Sequence, residues 1–377
     1  MRILFAGGGT AGHINPALAI AGYVRSRQPD AEILYIGAKG GMEERLVPQA
    51  GFEFRGISVQ GFKRKMTPKA IKDNIITVKK AISASSDSKK IIKEFKPDIC
   101  VGTGGYVSGP VLRTAAKMGI PTIIHEQNAF PGVTNKMLSK YVDRIMLAMP
   151  AARKHFKEGC NFVDTGNPVR GDILTADKAR ARAELGLDSR PVILSFGGSL
   201  GARIINESLA DVISRSAKDQ KYQHIHAYGQ YGKWFPDLLK EKGADLEKAK
   251  NLDIREYINN MPVCLAAADL VIARAGAITL SEIQVQGKPS ILIPSPNVAE
   301  NHQYHNAMSL VEKNAAVMIE EKDLTPEKLT EEIDKLASDP KRLSEYSENA
   351  KKMAVSDASK RIYSVIIEVL ATSKSQK

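Results

Sequence analysis

A chain of 377 residues, 43% hydrophobic and 25% charged, has room for two domains with separate cores and lacks the composition of a disordered or fibrous protein. Its three cysteines, Cys100, Cys160 and Cys264, have neither metal-binding nor redox spacing and read as reduced residues of a cytosolic protein; no apolar run has the length of a membrane span. The net charge of +12, with only 6% aromatic residues and no nucleic-acid reading motif, points away from nucleic acid and toward anionic lipid or a phosphorylated small molecule.

Short apolar strands alternate with helical patterns along the whole chain, which predicts parallel sheets covered on both faces. The start, Met1-Arg2-Ile3-Leu4-Phe5-Ala6, is too short for a signal peptide and fits a first strand. Strands of the first half are expected at 2–6, 31–36, 53–58, 98–102, 121–125 and 143–147, and helices at 14–27, 42–50, 68–94, 109–118 and 131–140. Between the first strand and helix stands Gly7-Gly8-Gly9-Thr10-Ala11-Gly12-His13. Such a turn exposes backbone N–H groups and the positive end of a helix, which favours phosphate. The Gly7, Gly9, Gly12 spacing also matches a dinucleotide fingerprint, but that reading needs an acid at the end of the second strand, where the sequence has Gly37-Ala38-Lys39. His13 opens the helix, where the dipole disfavours its charged form and leaves it able to accept a proton; a capping histidine is the alternative.

The next feature is Gly61-Phe62-Lys63-Arg64-Lys65-Met66, followed by a lysine-crowded helical stretch with Lys69, Lys72, Lys79, Lys80, Lys89, Lys90 and Lys93. Exposed, these residues would attract an anionic leaflet at roughly 1 kcal/mol each; the alternative buries the isoleucines between them and leaves the lysines in water. Gly102-Thr103-Gly104-Gly105-Tyr106-Val107-Ser108-Gly109-Pro110 and His125-Glu126-Gln127-Asn128 follow strands, the usual ligand-bearing end of an α/β sheet, although helix capping would also explain them.

Gly166-Asn167-Pro168-Val169-Arg170-Gly171 marks the join between halves. The second half repeats the pattern, with strands at 191–196, 223–228, 252–255, 269–273, 289–293 and 315–318, and helices at 201–215, 232–242, 259–267, 277–286, 302–312 and 325–337. Its first strand also runs into glycines, Gly197-Gly198-Ser199-Leu200-Gly201-Ala202-Arg203. Arg274-Ala275-Gly276-Ala277-Ile278-Thr279-Leu280-Ser281-Glu282 opens a later helix; the Glu282 carboxylate can accept from both hydroxyls of a ribose, whereas Thr279 and Glu282 also have capping-box spacing. Glu300-Asn301-His302-Gln303 opens another helix and offers amides to sugar hydroxyls. His155, His224, His226 and His305 read as structural, and no metal-binding motif is present in the sequence. The segment 341–371 is helical by spacing, and the last residues should fray.

Taken in order, Gly8 to His13, Gly104 to Pro110, His125 to Asn128, Thr134-Asn135-Lys136, Gly166 to Arg170, Gly197 to Arg203, Arg274 to Glu282 and Asn301-His302-Gln303 resemble the MurG family, the lipid-linked N-acetylglucosaminyltransferases of bacterial peptidoglycan synthesis in glycosyltransferase family 28. The resemblance covers nearly the whole chain. It implies an α/β GT-B fold, two Rossmann-like domains with parallel sheets facing a central cleft. The first would span 1–165, with 345–377 crossing back to it, and the second 166–344. It implies a hexosyltransferase that moves N-acetylglucosamine (GlcNAc) from UDP-GlcNAc to the C4 hydroxyl of N-acetylmuramic acid (MurNAc) in lipid I, inverting the anomeric carbon and yielding lipid II. It also implies no cofactor and peripheral attachment to the cytoplasmic face of the cell membrane, with partners among the proteins of cell-wall synthesis, cell shape and division.

Carried over by position, the donor site would use Arg170, Ser199, Ile258, Ala277, Thr279, Glu282 and Gln303, joined from the other domain by Thr10, Ala11, Gly12 and Asn128. Ile258 would meet uracil through its backbone, and Glu282 would hold the ribose. Gly8, Gly9, Gly104, Gly105 and Tyr106 would face the acceptor diphosphate. Ala11 and His302 depart from the family pattern, which more often has glycine and in some relatives glutamine there. His13 is the candidate base and Glu126 the reserve, with domain closure excluding water. Three rival activities fit the same motifs: a GT-B transferase with another sugar donor, a nonhydrolysing sugar-nucleotide epimerase, and a noncatalytic nucleotide-binding regulator at the membrane.

Overall fold

The structure, a computed structural model, describes residues 1–59 and 83–375. The basic stretch from Gly61 to Met66, with Lys69, Lys72, Lys79 and Lys80, lies outside the described residues. The chain divides into two compact units, Met1–Pro168 with Asp357–Lys377, and Val169–Ser356.

The first unit runs β1 (Arg2–Gly7), α1 (Ala11–Arg27), β2 (Glu32–Ala38), α2 (Glu43–Gln49), β3 (Glu53–Ile57), α3 (83–95), β4 (Ile99–Gly104), α4 (Gly105–Lys117), β5 (Thr122–Glu126), α5 (Val133–Leu138), β6 (Arg144–Leu147) and β7 (Phe162–Asp164). Its described strands form one parallel sheet in the order β3-β2-β1-β4-β5-β6-β7. Successive residues of β1 feed opposite faces. Ile3 and Phe5 join a core with Ala17, Ile20 and Val24 of α1, while Leu4 and Ala6 join another with Val107 and Val111 of α4. Burial on both faces is why the strand reads as a continuous apolar run. On α3, Ala84, Ser88 and Ile92 are buried while Lys89, Lys90 and Lys93 face water.

The second unit comprises α6 (Gly171–Thr175), α7 (Lys178–Glu184), β8 (Val192–Phe196), α8 (Arg203–Asp219), β9 (Gln223–Ala227), α9 (Phe235–Glu241), β10 (Leu252–Arg255), α10 (Met261–Ala267), β11 (Leu270–Ala273), α11 (Ala277–Val285), β12 (Ser290–Leu292), α12 (His302–Val311), β13 (Ala316–Met318), α13 (Pro326–Ala337) and α14 (Pro340–Lys352). Its parallel sheet has the order β10-β9-β8-β11-β12-β13, so counted from its own first strand it repeats the arrangement of the first unit. His224 and His226 lie two apart on β9, fully buried, against Ser216 Oγ and Ser195 Oγ respectively, each at 2.9 Å. Burial drives both imidazoles down to about 3.

The tail differs from the expected single helix. It is two helices, α14 and α15 (Ala358–Ser375), broken at 353–357. Leu343 and Tyr346 of α14 pack on the second core, so the chain rejoins the first unit at Asp357, not at 345. There Ile362, Val365, Ile366 and Val369 of α15 enter the same core as α1, and Tyr363 Oη accepts from Gln28 Nε2 at 2.9 Å. The join, too, falls slightly later than expected, after Pro168.

Candidate active site

In a parallel sheet every loop that follows a strand leaves at the same edge. Strand order reverses at β1/β4 in the first unit and at β8/β11 in the second, and a crevice opens at such a switch point. The glycine loops after β1 and β8 therefore stand where α/β sheets bind ligands, beside the starts of α4 and α11. Neither α1, α4, α8 nor α11 has an acidic residue in its first turn or a side-chain cap, whereas α7, α13 and α14 are capped by Asp177, Thr325 and Asp339. The helix ends at the two switch points keep their positive character.

In the first unit, Gly8, Gly9, Gly105 and Tyr106 come together. Gly105 has φ +79°, and a Cβ on it would lie 2.0 Å from the Gly8 carbonyl oxygen, so only glycine permits this approach. The Tyr106 ring covers Gly9, and Ser108 Oγ donates to Ala6 O at 2.6 Å, fastening α4 to the end of β1. The half-buried His13 ring packs on Gly104. Its Nδ1 lies 3.2 Å from Gly8 O and 3.1 Å from Thr10 Oγ1, and Thr103 Oγ1 donates to its carbonyl at 2.7 Å. Thr10 is the N-cap residue, yet its side chain serves His13 and not the helix amides. Ala11 and Gly12 form the exposed first turn.

Glu126 is buried at the end of β5. Its Oε1 accepts from Asn128 N at 3.0 Å and Asn128 Nδ2 at 3.1 Å, and its Oε2 from Gly132 N at 3.1 Å and Asn135 Nδ2 at 2.8 Å. Four donors occupy the carboxylate, so it holds the 126–135 turn. Two of these bonds come from Asn128. Its neighbour His125 is also buried; Nε2 faces Gly166 O at 2.9 Å and Nδ1 receives Gln127 Nε2 at 3.1 Å. Burial holds this imidazole below its usual range, against the opposing pull of Gly166 and Glu126.

Glu43 is the residue the sequence concealed. No acid stands at the end of β2, but the first residue of α2 folds back, and its Oε1 accepts from Ala38 N at 2.9 Å. The carboxylate is fully buried beneath Gly8, so it occupies the expected acidic position without being able to reach a ribose. The signal lay in Gly40-Gly41, two small residues that let the chain turn back at once.

In the second unit, Ser199 is exposed in the loop between β8 and α8, where Gly201 (φ +83°) lets the backbone close to Tyr228 O. On α11, Gly276 is the N-cap, Ala277 the first helical residue, and Thr279 and Glu282 lie within the helix. That placement rules out the capping-box alternative and sets Thr279 and Glu282 on one face at i, i+3 spacing. Burial pushes the Glu282 carboxyl up to about 7, with the Arg170 guanidinium opposing and Asp172 reinforcing. Arg170 itself pairs with Asp172 at 3.1 Å, an exposed pair of little energetic weight. Ile258, after β10, is buried. Gln303 Oε1 accepts from Ser295 N at 2.9 Å, which turns its amide N–H groups outward from that bond. Just before it, Glu300 (φ 54°) and Asn301 (φ 48°) are both left-handed, local strain of the kind that gathers at ligand sites.

Residues 3–147 match the glycosyltransferase family 28 N-terminal domain and residues 192–362 its C-terminal domain. A protein of Acetivibrio thermocellus named UDP-N-acetylglucosamine--N-acetylmuramyl-(pentapeptide) pyrophosphoryl-undecaprenol N-acetylglucosamine transferase is 47% identical over 371 residues, 98% of this chain and 98% of its own. A Bacillus cereus protein of the same name, numbered 1, is 44% identical over 369 residues, 97% of this chain and 98% of its own. The crystal structure of Acinetobacter baumannii MurG superposes with a TM-score of 0.78 at 28% identity, covering 97% of this chain and 99% of that one. The paired parallel sheets with their helices are thus the two-domain GT-B-like α/β fold, and the chain belongs to glycosyltransferase family 28.

Proposed function

We propose that this chain transfers N-acetylglucosamine from UDP-GlcNAc to the C4 hydroxyl of MurNAc in lipid I, giving lipid II with inversion at the anomeric carbon. The observation that carries the reading is a glycine loop with an uncapped helix at the switch point of each sheet, in a chain 47% identical over nearly its full length to a transferase named for that reaction.

The second unit takes the donor. Amides of the Ser199 loop and the start of α8 meet the diphosphate, Glu282 accepts from the ribose diol, the Ile258 backbone meets uracil, and Ala277, Thr279, Arg170 and Gln303 complete the set. Thr10, Ala11, Gly12 and Asn128 add contacts to the donor, while Gly8, Gly9, Gly104, Gly105 and Tyr106 take the acceptor. In the reaction the acceptor oxygen attacks the anomeric carbon as the bond to the diphosphate oxygen breaks. The electron pair leaves with UDP, where preorganised amides and the α8 dipole stabilise it. His13 Nε2 receives the hydroxyl proton. Glu126 holds Asn128 in place.

The same reading attaches the protein peripherally to the anionic, cytoplasmic face of the cell membrane, with wall-building and division proteins as partners. Its support is the net charge of +12, and among the described residues no helix is long and apolar enough to cross a membrane. Charge reversal at Lys63, Arg64 and Lys65 together should weaken binding to anionic vesicles, and the loss should shrink as salt rises.

Incubation with labelled UDP-GlcNAc and a short-chain lipid I analogue tests the activity. A labelled disaccharide lipid is the predicted product. Isomerised nucleotide sugar without acceptor would instead mark an epimerase, and nucleotide binding without transfer a regulator.

A further inference from the structure

His13 is the third residue of α1, behind Gly7-Gly8-Gly9 and beside Gly12, and the N-cap Thr10 gives the helix amides no side-chain bond. A first turn built this way tends to fray. A tie to it comes from β4. Ala6 pairs with Gly102 and Gly7 with Gly104, so Thr103 is an extra residue with no counterpart on β1, a bulge of the kind found beside active sites. Ile99 and Val101 join the core that α1 covers, and Thr103, two positions further, is fully buried with Oγ1 donating to the main-chain carbonyl of His13 at 2.7 Å. Gly7 leaves room for it, since an added Cβ there would stand 2.3 Å from Oγ1. The next residue, Gly104, meets the imidazole, where a Cβ would stand 2.8 Å from Cδ2 and 3.1 Å from Nε2. Adjacent residues of one bulge therefore contact His13 at its backbone and at its ring.

We propose that Thr103 is a positioning residue: its hydroxyl fixes the first turn of α1 and so the place of the His13 imidazole during proton transfer. An ordinary side-chain cap would fasten this turn by occupying its amide N–H groups. Thr103 fastens it from the carbonyl side, so the amides stay free for an anionic group of the substrate while the turn is held. A base must lie within hydrogen-bond reach of the proton it takes, and a displacement of about 1 Å can cost about 10²-fold in rate. A buried hydroxyl on a main-chain carbonyl supplies that constraint without touching substrate. The inference rests on the reading of His13 as base proposed above.

The test is a double-mutant cycle read by steady-state transfer from UDP-GlcNAc to the short-chain lipid I analogue. Thr103→Val keeps the shape and loses the hydroxyl; it should lower kcat by about fivefold or more while donor KM stays within about twofold. Thr103→Ser keeps the hydroxyl and should stay within about twofold of the wild-type kcat. With His13 already replaced by alanine, Thr103→Val should change kcat by less than about twofold, because the two residues act as one unit. A smaller loss in Thr103→Val, a donor KM that rises as far as kcat falls, Thr103→Ser as slow as Thr103→Val, or the full loss persisting in the His13→Ala background would each overturn the inference. Should Thr103→Val not fold, as read by circular dichroism and urea unfolding, Thr103→Ala answers the same questions. Near-normal kcat in His13→Ala removes the base reading itself and this inference with it, whereas an impaired His13→Ala with an additive Thr103→Val loss overturns the Thr103 inference alone.

Discussion

Nδ1 of His13 lies 3.2 Å from the carbonyl oxygen of Gly8. A carbonyl can only accept, so in the tautomer that donates from Nδ1 to Gly8 O the lone pair stands on Nε2. That tautomer is the one a base acting through Nε2 requires. His13→Ala should lower kcat by about 10²–10⁴-fold, the usual span for a general base, with a smaller rise in donor KM. Steady-state kinetics with both substrates varied separates the two effects, and near-normal kcat would remove His13 from the chemistry.

Glu282 should give nucleotide binding a pH dependence. Its free-protein value of about 7 means the ionised acceptor form declines as pH falls through neutrality. The affinity for UDP should therefore drop with acidification by up to tenfold per unit below pH 7, relative to Glu282→Gln. Glu282→Ala should cost about 1.5–3 kcal/mol of UDP binding at pH 8, the range for charge-assisted hydrogen bonds. Calorimetric titration at pH 6, 7 and 8 checks both, and parallel pH profiles for the wild type and the Gln variant would exclude the ribose role.

Glu126→Gln should unsettle the 126–135 turn. A glutamine in place of the carboxylate turns an N–H group toward donors that now meet oxygen at 2.8–3.1 Å. The expected loss is about 1–3 kcal/mol of stability. Urea unfolding reads the loss. Rapid proteolysis within 127–132 would localise it, and an unchanged midpoint would mean that the four bonds carry little.

Acid should destabilise the fold between pH 6.5 and 5. His125, His224 and His226 all have folded values below the unfolded one, the latter two at about 3. The unfolded chain therefore binds more protons in this window, and stability falls as pH falls, by about 1.4 kcal/mol per unit for each fully deprotonated site. Glu282, raised to about 7, acts oppositely and offsets one of the three. Urea midpoints should decline steadily from pH 6.5 to 5, and a flat profile would contradict the burial argument.

Much of this arrangement was legible in the chain. Apolar runs buried on both faces, such as Ile3 to Ala6, mark central parallel strands, and each motif after one falls at the same sheet edge. What escaped depends on folding back or on brevity. Glu43 reaches the end of β2 from another element, which linear spacing cannot reveal. The three-residue strand β7 is too short to show a period, and the 353–357 break leaves the helical spacing on either side intact. Glu126 is plain as an acid after a strand, but its four donors come from residues up to nine positions away, so the bonds that engage it emerged only with the turn in three dimensions.

The central claim is a sugar transfer between two separately held substrates, and radiolabel from UDP-GlcNAc appearing in a lipid-linked disaccharide measures it most directly. Purified protein with a short-chain lipid I analogue should yield a β-linked GlcNAc–MurNAc product in proportion to the UDP released. Release of UDP without that product, or the product forming equally well with His13 and Glu282 both replaced by alanine, would contradict it.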